Sequence, residues 1–490
     1  MLTLRAQSPV KNTATPGIKK AIGWTFLHQF IQQGLKFIIG IWLARILDPR
    51  DFGLIAMVAV FSALSERLVG MGFATSLVQK NDVDESDCCT VFYTNMGIAM
   101  LAYGLIYAFA PQVAQFFQES SLEQIMRVAG LSQLIQATFT IQVILLTIRL
   151  DFRTPLIVGT GAEIIAGIIS ISMAYAGYQF WALVALSLSR ATVKCILFHI
   201  LGTWRPRLTY SVQRLKEHFG IGAKITLISS IEVAFNHFHS IVIGRAFDPL
   251  ALGIFSRAKS LQTFATQNTI SPLSKVIFPG LARAKNNPKR LIQIFQKSLE
   301  ITAFLVFPLM TGIAFSAEAI ILTLIGEKWI AAAPYLKLLC IIGAIIPIRN
   351  QCSNALKALN RLNQIIVIQA ACRALSVISV LLTYRLGITA IILGEIVVTL
   401  ILGISFLVAT SRALNTPLRN FLKPIMPYIL ASVSISASLY FVPLKSINYP
   451  FLELACSIVV GLVGYALPCY ITKAPMLMEL IQIARKRLRL

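Results

Sequence analysis

The chain has 490 residues, of which 56% are hydrophobic and only 13% charged. Soluble globular chains carry about 25% charged residues, so a water-soluble fold of this length is excluded for want of charge to cover its surface. The net charge is +24, from 44 Lys+Arg against 20 Asp+Glu, and the basic residues sit in short connections between apolar runs. That placement orients a membrane protein and argues against a nucleic-acid-binding face. The eight cysteines form no CxxC pair, and several stand inside apolar stretches (Cys195, Cys340, Cys372, Cys456). They read as small packing residues, not as a disulfide framework or metal site.

In chain order, Met1 to Lys20 is polar and basic and lacks a short apolar stretch with a small-residue cleavage site. No cleavable signal peptide is expected, and the first span should itself act as the anchor. Apolar runs of bilayer length then recur. Their spacing predicts fourteen spans, centred near Gln32, Leu64, Met100, Gln136, Gly167, Ser189, Ile231, Thr266, Val306, Ile345, Ser376, Val397, Ser434 and Val460.

With the amino terminus inside, the cytoplasmic connections hold Arg149/Arg153, Arg205/Arg207/Arg214/Lys216, Arg283/Lys285/Lys289/Arg290, Lys357/Arg361 and Arg412/Arg419/Lys423. The tail adds Arg485/Lys486/Arg487/Arg489. The opposite connections hold few cations, so an even number of spans with both termini cytoplasmic is predicted. One connection dissents: Lys80 to Asp87 (KNDVDESD) is acidic yet falls inside. Acidic residues contribute little to orientation, which leaves the assignment standing. The segment from Met476 to Leu490 is basic and amphipathic and predicts an interfacial helix on anionic lipid.

An internal repeat organises the chain. Leu43–Gly53 reads LARILDPRDFG and Ile243–Gly253 reads IGRAFDPLALG, so Arg45, Asp48, Pro49 and Gly53 recur at a constant offset of 200 residues. Roughly six spans separate the copies, which predicts parallel repeats about an axis along the membrane normal. The expected fold is all-α and polytopic: two six-helix lobes, residues 1–204 and 205–414, around a central cavity. Two further spans and a basic tail fill 415–490. In each copy Pro sets the turn, Asp can cap the next helix and Gly permits close packing.

Ionisable groups inside apolar spans are costly and mark candidate functional positions. The first span carries His28, Gln32 and Lys36 on one face; its repeat partner, the seventh, carries Glu232, Asn236 and His239. The repeat offset places Glu232 over Gln32 and Asn236 over Lys36. These faces line a cavity or make hydrogen bonds between helices within each lobe. On the eighth span, Arg257, Phe264, Asn268, Ser271 and Lys275 share a helical side. Further intramembrane cations are Arg67, Arg127, Arg190, Lys194, Lys224, Lys337, Arg349 and Arg373; the acids are Glu66, Glu163, Glu232, Glu300 and Glu395. A cation surplus suits an anionic cargo, for which Arg offers bidentate geometry and Lys a point charge.

Several stretches resemble the oligosaccharide flippases of the multidrug/oligosaccharidyl-lipid/polysaccharide superfamily, in particular the colanic-acid-exporter type. They are LARILDPRDFGLIAMV, GMGFATSLVQK, DPLALGIFSRAKSLQ, GEKWIAAAPYLKLL and SNALKALNRLNQ. The resemblance runs from about Lys19 to Leu414. It implies alternating access by two lobes and an undecaprenyl-pyrophosphate-linked oligosaccharide as cargo, with no covalent chemistry. The last two spans lie outside the stretch it covers.

The expected substrate cavity therefore draws on Gln32, Lys36, Arg67, Asn236, Arg257, Asn268 and Lys275, with Glu232 and His239 as candidates for coupling to an ion gradient. No P-loop, GxSxG or HExxH motif occurs, and no cofactor or metal is expected. Expected partners are the lipid-linked substrate, membrane lipids, and a polysaccharide polymerase or export machinery in a bacterial inner membrane. The rival readings are a multidrug exporter of the same fold, whose cationic cargo would favour acids over cations, and a membrane-embedded glycosyltransferase or polymerase. The latter would call for paired acids or a metal site on a sizeable loop.

Overall fold

The structure is a computed structural model. It describes residues 16–70, 76–78, 83–149, 151–202, 204–442, 450–472 and 474–479, with positions 73, 80 and 482. The amino-terminal stretch and most of the basic tail lie outside the described residues. The described residues are helical and contain no strand.

Fourteen helices of at least 16 residues are found among them: α1 (Pro16–Ile46), α2 (Pro49–Leu68), α3 (Glu85–Phe117), α4 (Ser121–Ile148), α5 (Arg153–Tyr175), α6 (Phe180–Leu201) and α7 (Val212–Ala246). There follow α8 (Pro249–Arg283), α9 (Pro288–Phe315), α10 (Ala333–Ala358), α11 (Leu362–Thr383), α12 (Ile388–Ala413), α13 (Met426–Phe441) and α14 (Pro450–Ile471). Each predicted centre falls inside one helix. Nine of these helices are long and apolar enough to cross a bilayer on length and composition alone. The chain is a multi-pass membrane protein. The five that miss that standard are α1, α2, α7, α8 and the short α13. The first four are the helices of the repeat, whose interior polar and charged residues lower their hydropathy.

Helix starts follow capping chemistry. The Asp84 carboxylate accepts the Asp87 N–H at 2.7 Å while the Asp87 carboxylate accepts the Asp84 N–H at 3.2 Å, a reciprocal cap on α3. Asp248 accepts the Ala251 N–H at 2.7 Å and opens α8 ahead of Pro249. In the other copy the Asp48 N–H donates to the Asp51 carboxylate at 3.1 Å, and Pro49 begins α2.

The chain divides into two compact units, Met1–Gly253 and Ile254–Leu490. In the first, α5 packs on α1 and α6, α4 on α3 and α6, and α7 on α2 and α3. Both copies of the DP-x-x-x-G motif meet inside this unit. A side-chain carbon on Gly53 would collide with the carbonyl of Pro249, and one on Gly253 with the carbonyl of Pro49. Each glycine thus lets the backbone of the opposite motif approach without a Cβ between them.

The dissenting acidic connection finds its counter-charge at the start of α7. Asp87, with no side-chain exposure, accepts from Arg214 through both oxygens at 3.0 and 3.2 Å and from Lys80 at 2.7 Å. Arg214 also reaches Asp84 at 2.6 Å, and Arg207 pairs with Glu85 at 2.9 Å. Asp87 holds the Arg214 guanidinium above its ordinary value. The acidic segment and the basic connection after α6 therefore lie on the same side of the chain's spans.

In the second unit α9, α10 and α12 pack together, α11 lies on α12, and α13 and α14 pack on each other and on α9. Expected as additions to the repeat, α13 and α14 are part of this unit's core: Phe295, Phe406, Phe421, Tyr428 and Tyr465 share one apolar cluster. Two tyrosines fasten them to α9. The fully buried Tyr428 donates to Glu300 at 2.9 Å, and Tyr465 donates to the Phe304 carbonyl at 2.9 Å. Tyr428→Phe should lower stability by about 1–3 kcal/mol, because the buried Glu300 oxygen loses its donor. Thermal unfolding of the purified protein in detergent checks this; an unchanged midpoint would show that the bond contributes nothing.

Candidate functional site

Among the described residues of the first unit, intramembrane charges gather on α1, α2, α5 and α6. Glu163 on α5 has no side-chain exposure and accepts from Arg190 on α6 at 2.8 Å. Lys194, one turn beyond Arg190, lies within electrostatic reach of Arg190, Lys36, Glu163 and Glu66. His28 in turn is within reach of Lys194 and Lys36. Three cations thus stand against two carboxylates around one polar patch.

Gln32 and His28 face Gly159 of α5. A methyl group at that position would stand 2.5 Å from Gln32 Nε2 and 3.2 Å from His28 Nε2. The polar face of α1 therefore turns onto α5 where α5 carries no side chain. Gln32 is 9% exposed. Among the described residues its Nε2, Thr160 Oγ1, Glu163 Oε2 and Arg190 Nε are buried without a hydrogen-bond partner. Buried polar groups are ordinarily satisfied, so four unused positions on α1, α5 and α6, two of them on the ion pair itself, mark a place that can take up a polar ligand. Chemically the patch can bind an anion through Arg190, Lys194 and Lys36 and offers two carboxylates to a cation.

The other candidate residues are more dispersed. Lys36 is exposed and Arg67 half-buried. On α7, Glu232 and Asn236 are exposed whereas His239 is only 5% exposed, so the two coupling candidates sit in different surroundings. At the repeat-related positions Lys36 and Asn236 are both exposed, but Gln32 is buried where Glu232 is not. In the second unit Arg257 and Asn268 are half-buried, and the side chain of Lys275 lies outside the described residues. The buried polar contacts of α8 lie on a different pair. Gln262 donates to Thr266 at 2.6 Å, and Thr266 approaches the Met310 sulfur on α9 at 3.7 Å. The sequence named Glu163, Arg190 and Lys194 as intramembrane charges but gave no reason to join them. Two of the other intramembrane cations are taken by acids: Arg127 by Glu123 at 2.8 Å and Lys337 by Glu318 at 2.5 Å.

Helices of this number and polarity, with charges gathered inside the membrane, are those of a transporter-like membrane protein. The chain belongs to a family described as polysaccharide biosynthesis protein, whose model matches residues 42–334. It is 27% identical over 344 residues to the succinoglycan biosynthesis transport protein ExoT of Rhizobium meliloti (strain 1021), covering 69% of this chain and 68% of that one. Among solved structures, the lipid II flippase MurJ in an inward closed conformation superposes with a TM-score of 0.73 at 14% identity, covering 93% of this chain and 99% of that one. An inward-facing multidrug resistance MATE family transporter of the MOP superfamily gives a TM-score of 0.63 at 13% identity, covering 81% and 98%. The chain has the fold of these transporters.

Proposed function

We propose that this chain is a flippase that carries lipid-linked oligosaccharide repeat units across a bacterial inner membrane, from the cytoplasmic to the outer leaflet, by alternating access. The observation that carries the reading is membership of the polysaccharide biosynthesis family together with a cation-rich polar patch on α1, α2, α5 and α6, centred on the buried Glu163 and its partner Arg190. A fold shared with both lipid II and multidrug transporters does not separate those cargoes; the charge of the patch supports an anionic one. An undecaprenyl pyrophosphate group is anionic and favours a site where Arg and Lys outnumber acids. The sugars enter the polar interior while the polyprenyl tail stays in lipid. The two lobes are residues 1–204 and 205–414, with 415–490 added, and the face-to-face DP-x-x-x-G motifs support a repeat about an axis along the membrane normal.

Deletion of the chain in its host should trap the lipid-linked repeat unit in the cytoplasmic leaflet and abolish the surface glycan, and the parent gene should restore it. Unchanged glycan with altered tolerance of cationic dyes would select the multidrug exporter instead. Both termini and the connection after α6 are cytoplasmic, as its four basic residues and its ion pairs to the Lys80–Asp87 segment suggest. A lone cysteine at Leu208, which is 95% exposed, should stay unmodified by a membrane-impermeant thiol reagent in intact cells and react after lysis. Modification in intact cells would reverse the orientation.

A further inference from the structure

At one end of the second unit, Lys357 closes α10, Arg361 precedes α11, Arg412 closes α12, and Arg419 and Lys423 follow it. All five are exposed, and none forms an ion pair among the described residues. Between residues 353 and 424 the sequence contains a single acid, Glu395. It lies seventeen residues before Arg412 on the same helix, which is about 25 Å along the axis. No carboxylate within this stretch of the chain stands near these five cations.

A groove of about 370 Å³ opens between the first turns of α11 and the last turns of α12, lined by Asn363, Gln364, Val367, Ile368, Ala409 and Arg412. Its lining is ordered by depth. Arg412, Asn363 and Gln364 stand at the helix ends; Val367, Ile368 and Ala409 lie about one turn further into the span. The outer wall is open to the surroundings: Val367 is 66% and Ile366 63% exposed. In a bilayer that face meets acyl chains, and the cations meet the headgroup layer.

We propose that this groove binds one anionic phospholipid of the surrounding bilayer. Its phosphate rests on Arg412, with Asn363 and Gln364 donating to the phosphate or glycerol oxygens. One acyl chain runs over Val367, Ile368 and Ala409. The guanidinium offers the forked donor geometry that a phosphate diester accepts. A soluble anion would have no use for the apolar floor, and a zwitterionic lipid no use for five uncompensated cations. The inference is independent of the cargo proposed above, because groove and patch share no residue.

Mass spectrometry of the intact purified protein, equilibrated with equal phosphatidylglycerol and phosphatidylcholine, provides the test. The parent should retain phosphatidylglycerol in preference. Arg412→Ala should reduce that retention about fivefold, since a basic residue at an anionic surface is worth roughly 1 kcal/mol; Arg412→Lys should keep most of it. A photoreactive benzophenone side chain at Ile366 should crosslink phosphatidylglycerol in the parent and less of it in Arg412→Ala. Equal retention of the two lipids, or retention indifferent to Arg412→Ala, would overturn the proposal. So would displacement of phosphatidylglycerol by a polyprenyl pyrophosphate, which would assign the groove to the cargo. Arg412→Lys guards against misfolding, because a fold defect caused by loss of the charge would spare it.

Discussion

Arg190→Ala should be among the most damaging substitutions in the protein, lowering stability by about 3–5 kcal/mol and abolishing glycan export. The cause is the position of Glu163, whose side chain has no exposure and whose ion-pair partner among the described residues is Arg190 at 2.8 Å. Removing one member of a buried pair leaves an uncompensated charge, which costs far more than the pair contributes. Lys194 is within electrostatic reach but is a compact point charge that cannot reproduce the fork of a guanidinium. The paired replacement Glu163→Leu with Arg190→Met separates stability from function. It removes both charges and keeps volume, so thermal unfolding should return close to the parent. Export should remain lost if Arg190 serves the cargo. Normal export by that paired variant, at normal protein level, would reduce the pair to scaffold.

The membrane fold was open to reading because its cause is local. Each span needs about 20 apolar residues in a row, and the DP-x-x-x-G copies are contiguous in sequence. Pairing across helices is not local, and that is where the sequence fell silent. Nothing within α5 says that Glu163 will face Arg190 rather than Lys194, because Arg190 stands 27 positions further on, beyond a turn. Gly159 is equally mute by itself; its meaning comes from Gln32 and His28 being aimed at it from α1. Glu232 and His239 illustrate the converse error of scale. Helical periodicity puts them on one side of α7, yet burial differs with depth along that side. The acidic Lys80–Asp87 connection departs from the basic pattern of the other inside connections, and its physical reason is the pairing with Arg207 and Arg214.

The cation surplus gains force from how the other charges are spent. Arg127 and Lys337 have carboxylate partners, and Glu300 is held by Tyr428. The patch around Arg190 keeps three cations against Glu163 and Glu66, with buried polar atoms still unused. An anion brought there would find donors already oriented, which is how a binding site avoids the cost of ordering side chains afresh. A multidrug exporter with a cationic cargo would meet repulsion at the same place.

Gly53→Ala and Gly253→Ala should each destabilise the protein by about 1–3 kcal/mol, the usual cost of overpacking. In both, the new methyl group is aimed at a backbone carbonyl, that of Pro249 or Pro49. A side chain could rotate away from such a methyl, but a carbonyl fixed at a helix start cannot, so the starts of α2 and α8 must separate. The caps suffer with them: Asp248 holds the Ala251 N–H, and Asp51 the Asp48 N–H. Because both substitutions disturb one contact, the double variant should cost less than the sum of the singles. Gly97→Ala on α3 is the control. Nothing lies within 4 Å of its missing side chain, and alanine is the better helix former, so it should be no less stable than the parent. Thermal unfolding of the four variants in detergent decides the matter. If Gly53→Ala melts with Gly97→Ala, the two motifs do not press on each other as the structure has them.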